Sequence, residues 1–164
     1  MCMKTIVKFS LPIFLAIILF TKCNMNTNMD QERENILKAD IDFSNRSVEV
    51  GNHQAFIEFA SQDVVLLKPN SYPIVGKEAL KQLYTEISDT NYRLTWKPSF
   101  ARVAKSCDLG YSFGIYLLEI TKGEDIGQSF QGTYATVWEK NAKGEWRFVL
   151  DTGNPGLTSD KKSE

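Results

Sequence analysis

The chain opens on an uncharged apolar run from Phe9 to Phe20, preceded by Lys4 and Lys8 and followed by the polar stretch Asn24-Met-Asn-Thr-Asn-Met-Asp30. The run is about 12 residues, short of the about 20 that a membrane-spanning helix needs. Beyond it the apolar positions become periodic. Ile36, Leu37, Ile41, Phe43, Val48 and Val50 form one broad stripe and predict a helix from near Gln31 toward Val50, with Asp40, Ser44 and Ser47 inside the stripe. Gly51 ends this helix and Asn52 can cap a short second one, His53 to Ala60, that buries Ala55, Phe56 and Phe59. Asp63 to Leu67 reads as a strand and Pro69 to Pro73 as a loop. Ala79, Leu80, Leu83, Tyr84 and Ile87 then predict a third helix over Lys77 to Ser88.

From Tyr92 the period changes to two. Tyr92, Leu94 and Trp96 alternate with Arg93, Thr95 and Lys97, Pro98 bends or breaks the strand, and Phe100 to Lys105 continues it. Gly110 to Thr121, Ser129 to Lys140 and Glu145 to Thr152 read as three more strands. They are joined by the loops Lys122 to Gly127 and Asn141 to Gly144. Helices followed by a meander of strands predict an α+β fold, with helices laid on one face of a bent antiparallel sheet. Hairpin loops with no crossover helix argue against a parallel doubly wound sheet.

The N-terminal segment reads as an address. A basic start, a short apolar run and a polar continuation are the parts of a secretory signal. With Leu19-Phe20-Thr21-Lys22-Cys23 the segment resembles a bacterial lipoprotein signal, Lys22 standing where that pattern has a small residue. The resemblance implies cleavage before Cys23, lipid attachment to its sulfur, and a lipid-anchored or secreted place in the bacterial cell envelope. An uncleaved anchor or an ordinary secreted chain is the alternative. The chain then divides into a signal over 1–22, a lipidated cysteine and tether over 23–31, one domain over 32–156 and a tail over 157–164. Of the three cysteines, Cys2 is removed and Cys23 acylated, which leaves Cys107 as a buried small apolar residue without a disulfide.

Composition narrows the chemistry. The 164 residues carry 19 basic and 20 acidic side chains, so there is no basic footprint for nucleic acid. A single histidine, His53, excludes a multi-histidine zinc site, and no metal-ligand spacing, phosphate loop or dinucleotide fingerprint is present. No metal and no cofactor is therefore expected.

Six segments stand in an order that resembles a known group: Gly51-Asn-His-Gln-Ala55, Asp63 to Pro69, Pro73-Ile-Val-Gly-Lys77, Asp108 to Tyr116, Gly132 to Trp138 and Lys143 to Asp151. Over residues 31 to 156 they are similar to the SnoaL-like and ketosteroid-isomerase-like domains of the nuclear transport factor 2-like superfamily. The resemblance implies a cone-shaped barrel: a strongly curved antiparallel sheet whose concave face is closed by three helices, with a pocket between. That group includes isomerases, cyclases, dehydratases and subunits without catalysis, so the fold follows more firmly than the function.

Within such a fold Trp96, Tyr116 and Tyr134, with Tyr72 from the loop, are the candidate ligand-binding residues, because aromatic walls with few polar tips suit a small organic molecule. Asp151 is the weak candidate for a catalytic base, with Tyr116 or Tyr134 as donor, against capping of the strand end or pairing with Arg147 or Arg102. The leading expectation is an unknown apolar or amphipathic small-molecule ligand. An Asp151 enzyme of isomerase, cyclase or hydrolase type is the alternative, and a homodimerising interaction module a third. Asp40, inside a packing stripe, must be paired, lie at the pocket mouth or stand at the helix edge. His53 reads as an exposed helix-start residue. Gly110-Tyr-Ser-Phe-Gly114 matches a hydrolase nucleophile elbow, but it lies in a strand pattern with no histidine after it, so its glycines are read as permitting sheet bending. Asn45-Arg-Ser47 falls in mid-helix and is set aside as a glycosylation site.

Overall fold

The apolar stripe around Ile36 and Phe43 forms the long helix α1, Met25–Val50, and it is followed by α2, Asn52–Phe59, and strand β1, Ala60–Leu67. A two-residue strand β2, Ile74–Val75, leads into α3, Lys77–Glu86; β3 (Tyr92–Val103), β4 (Leu109–Ile120), β5 (Ser129–Lys140) and β6 (Trp146–Pro155) complete the chain. The computed structural model describes residues 25–157. The signal segment 1–22, Cys23 and the tail from Thr158 lie outside the described residues. Among those described, no helix is long and apolar enough to cross a membrane.

The six strands form one sheet in the order β2-β1-β6-β5-β4-β3. Consecutive strands from β3 to β6 pair antiparallel, as their hairpin loops require. The sheet is mixed all the same: β1 runs parallel to β6, and β2 adds antiparallel to the outer edge of β1. A connection containing α3 and four strands separates β1 from β6, and only such a long connection allows parallel pairing. The sheet is strongly curved but not closed into a barrel, so the α+β expectation holds and the barrel closure and purely antiparallel pairing do not. Helix α1 starts inside the expected tether because Met29 still packs against the core.

The core lies between α1 and the inner face of the sheet, where Ile36, Phe43, Phe56, Leu80, Trp138 and Phe148 are almost fully buried. Phe43 is its hub: it stacks on Phe148 and Phe59 and meets the edges of Trp96 and Phe56 at centroid distances of 4.6–5.3 Å. The Gly110-x-Ser112-x-Gly114 segment explains how α1 gets so close. All three residues point inward under the helix, and a Cβ on Gly110 would collide with Ile36 Cδ1 and the Arg102 carbonyl. This segment is a track of small residues, not a nucleophile elbow.

Two bulges set which side chains face inward. In β3 the register shifts between Pro98 and Phe100, so Trp96 and Ala101 both face the core. Between β5 and β6 it shifts opposite Val149: Trp138 pairs with Phe148, then Val137 with Leu150 and Thr136 with Asp151. Strict alternation from Trp146 and Phe148 would send Asp151 outward; the extra residue reverses the parity and brings it in.

Candidate functional site

The concave face of the sheet and the three helices leave a cavity of about 280 Å³. Its walls are built mostly from aromatic and aliphatic side chains: Phe43 from α1, Phe56 from α2, Tyr84 from α3, Leu94 and Trp96 from β3, Tyr116 and Leu118 from β4, and Tyr134 from β5. Trp96 and Tyr116 are register partners on adjacent strands. The Tyr116 ring lies flat against Gly132, where a Cβ would approach its Cε1 to 2.5 Å; only glycine leaves room for the ring.

Beneath this wall sits Asp40, fully buried in α1. It accepts hydrogen bonds from Trp96 Nε1 at 2.7 Å and from the Tyr134 hydroxyl at 2.8 Å. Ser112 is a third donor to it, and the Ser112 hydroxyl in turn accepts from Trp138 Nε1 at 2.8 Å. One carboxylate thus fixes two of the aromatic side chains that shape the cavity. Burial raises the Asp40 pKa despite the three donors, and burial together with the Asp40 charge pushes the Tyr134 phenol well above its usual range.

Asp151 reaches the cavity from β6. Its Oδ2 accepts from Thr136 Oγ1 at 2.6 Å across the β5–β6 register. Burial pushes its pKa up to about 7, the charge of Asp40 adds to this, and the Thr136 hydrogen bond opposes it. Among the described residues no lysine, arginine or histidine forms an ion pair with Asp151 or Asp40. The expected pairing with arginine is therefore corrected: Arg147 is engaged by Glu145 at 2.9 Å.

The far wall is held by a polar cluster at the start of α2. Gly51 takes the N-cap position with φ +90°, and the Asp89 carboxylate caps the helix by accepting from the His53 N–H at 2.8 Å. The His53 ring stacks on Tyr84 at 4.1 Å between centroids, and its Nε2 lies 3.4 Å from the Tyr92 hydroxyl. Burial lowers the His53 pKa, and the Asp89 charge resists that shift. His53 is thus buried behind the wall and not an exposed helix-start residue. Asn52 does not cap the helix; its Nδ2 donates to Tyr92 Oη at 3.5 Å, while its Oδ1 is buried without a partner and the residue lines the cavity.

Three of the four aromatic candidates, Trp96, Tyr116 and Tyr134, meet in one cavity with Asp151. Tyr72 does not: it is 92% exposed on the loop before β2. Cys107 is also placed differently, partly exposed in the β3–β4 turn with φ +62°. Sequence reasoning did not single out Asn52, Tyr84 or Thr136 as site residues. Tyr84 had a usable signal in the α3 stripe, whereas Thr136 becomes visible only through the β5–β6 register. Among the described residues no group of three or more His, Cys, Asp or Glu side chains converges as a metal site.

No family model matches the chain, and no curated protein sequence matches it. Solved structures do. A nuclear transport factor 2-like protein with a cystatin-like fold from Novosphingobium aromaticivorans superposes with a TM-score of 0.64 at 14% identity, over 89% of this chain and 94% of that one. A nuclear transport factor 2-like superfamily protein from Salmonella enterica serovar Typhimurium gives 0.62 at 12% identity, over 82% and 98%. A ketosteroid isomerase-like protein from Erwinia carotovora atroseptica gives 0.60 at 15% identity, over 75% and 95%. With three helices laid over a curved, mixed six-stranded sheet, the chain has the nuclear transport factor 2-like cone fold.

Proposed function

We propose that the domain binds a small apolar or amphipathic molecule in the cavity beneath α1–α3, and that a lipid on Cys23 holds it at the bacterial cell envelope. The cavity carries the reading: about 280 Å³ enclosed by Trp96, Tyr116, Tyr134 and Tyr84, with a few polar atoms gathered at Asp151 and Asn52. Its volume lies near the lower end of the range for small-molecule sites, and apolar walls with sparse polar groups are their usual make-up. Mass spectrometry of small molecules co-purified with the full chain, followed by thermal shift with those recovered, tests the binding. If nothing co-purifies and no apolar compound shifts the melting temperature, the reading fails. Unchanged membrane association of Cys23→Ser would reject the lipid anchor.

The enzymatic alternative draws on Asp151, a carboxyl group in an apolar cavity with its pKa near 7. That value suits proton transfer at neutral pH, and a base of this kind could move a proton next to a substrate carbonyl. Its test is deuterium exchange at such a carbon in a bound ketone, abolished by Asp151→Asn. A homodimer is supported by the outer face of the sheet, where Phe100, Tyr111, Phe113 and Ile115 are 40–47% exposed side by side. It predicts a two-fold mass in sedimentation equilibrium, lost on Ile115→Lys.

A further inference from the structure

The polar atoms of the cavity are unequal in kind. The proton of the Tyr134 hydroxyl is committed to Asp40, so this phenol is no donor to a ligand. Asn52, 8% exposed, has its Oδ1 buried with no partner, an orphan acceptor. Asp151 accepts a hydrogen bond from Thr136 and, among the described residues, has no cationic partner. A buried acceptor without a donor is costly, and a carboxylate without a cation is more so. Around these atoms stand Trp96, Tyr116 and Phe56, whose ring faces attract positive charge. Lys68 is the one cation among the cavity residues, and it sits exposed at the rim.

We propose that the cavity takes amphipathic amines: an apolar body against the aromatic wall, with a protonated primary or secondary amine that donates to Asp151. This rests on the reading of the cavity as a ligand site and narrows its ligand class. An ammonium group supplies both the donors and the charge that the Asp151 carboxyl group lacks. A carboxylate ligand would meet the charges of Asp151 and Asp40. An alcohol would supply one donor and no charge. The ionisable groups around Asp151 are Asp40 from α1, Tyr84 from α3, Tyr116 from β4, Tyr134 from β5 and Lys68 at the end of β1, with His53 behind Tyr84. None of these three tyrosines ionises near neutrality, because burial pushes their phenols upward. Asp151 is the cavity group whose pKa lies at about 7, so binding of the amine at neutral pH should expel a proton from it.

The test compares phenylpropylamine, phenylpropanol and phenylpropanoate, which share one body, by isothermal titration into the full chain. At about pH 8 the amine should bind at least about tenfold more tightly than the alcohol, and the carboxylate more weakly than both. The preference should fall below about threefold at about pH 5.5, where Asp151 holds its proton, and likewise at about pH 8 in Asp151→Asn. Thr136→Val removes a hydrogen bond to the carboxylate, so the midpoint of the amine preference should move to higher pH, a shift that simple loosening of the fold would not give. An alcohol or carboxylate that equals the amine at about pH 8 overturns the proposal while leaving the ligand site standing. So does an Asp151→Asn variant that keeps the amine preference. Binding of none of the three probes by the folded chain overturns the ligand site and the amine proposal with it.

Discussion

Tyr134 donates its hydroxyl to Asp40 at 2.8 Å, linking the first helix to the fifth strand across 94 positions of sequence. The bond joins the packing of the core to the shape of the cavity, because Asp40 also holds Trp96. Removing the phenol oxygen with Tyr134→Phe leaves Asp40 two other donors and should cost about 1–3 kcal/mol in urea unfolding. Asp40→Ala strands Trp96 Nε1, Tyr134 Oη and Ser112 at once, so it should cost more, about 3–5 kcal/mol. A double-mutant cycle should give a coupling of at least about 0.5 kcal/mol; additive effects would show that the two residues act separately.

The pH dependence of stability has a definite sign at Asp151. Its pKa lies at about 7 in the fold against an ordinary value of 3.8, so between those values the folded chain holds a proton that the unfolded chain releases. Stability should fall as pH rises through this window and level off above about 7, by up to about 4 kcal/mol. His53 tilts the other way, since burial lowers its pKa and the unfolded chain takes up the proton first. The clean measurement is the difference between the wild-type and Asp151→Asn curves, which should slope downward between about pH 4 and about pH 7. A flat difference would mean that the carboxyl group is solvated in the fold.

Gly132→Ala tests whether the cavity wall is fixed. The new Cβ would press into the Tyr116 ring and the Asn154 carbonyl, and the carbonyl is backbone that cannot turn aside. A loss of about 1–3 kcal/mol is expected, together with weaker binding of any cavity ligand as the ring is displaced. Calorimetry with and without ligand separates the two effects.

Asp89→Ala should loosen the same wall from behind. It removes the cap on α2 and the carboxylate 3.9 Å from His53 Nδ1. The loss should be about 1–2 kcal/mol. The His53 pKa, followed by NMR, should fall further once the neighbouring charge is gone.

Most of the architecture was legible because it rests on period. The α3 stripe, the change to a period of two at Tyr92 and the hairpin loops each mark an element, and aromatic rings with polar tips on neighbouring strands named Trp96, Tyr116 and Tyr134. Asp40 also announced itself, as a carboxylate among apolar positions. What could not be read is what depends on register. No local composition marks the extra residue at Val149, so the direction of Asp151 was open until β5 and β6 were paired. The parallel meeting of β1 with β6 and the burial of His53 depend on contacts distant in sequence, for which periodicity carries no signal. Tyr72 failed for the opposite reason: its aromatic character suggested a wall, but nothing in its loop holds it there.

The small bulge in β6 divides the strand into two independently variable halves. Before it, Trp146 and Phe148 answer to the core; after it, Asp151 and Gly153 answer to the cavity. A single residue gained or lost at that point would rotate the second half by one face, withdrawing the acid and turning Thr152 inward, with the first half unmoved. The chemistry of the cavity could thus be exchanged by one insertion or deletion at little expense to the hydrophobic interior, a route for the cone to change what its cavity can hold without being rebuilt.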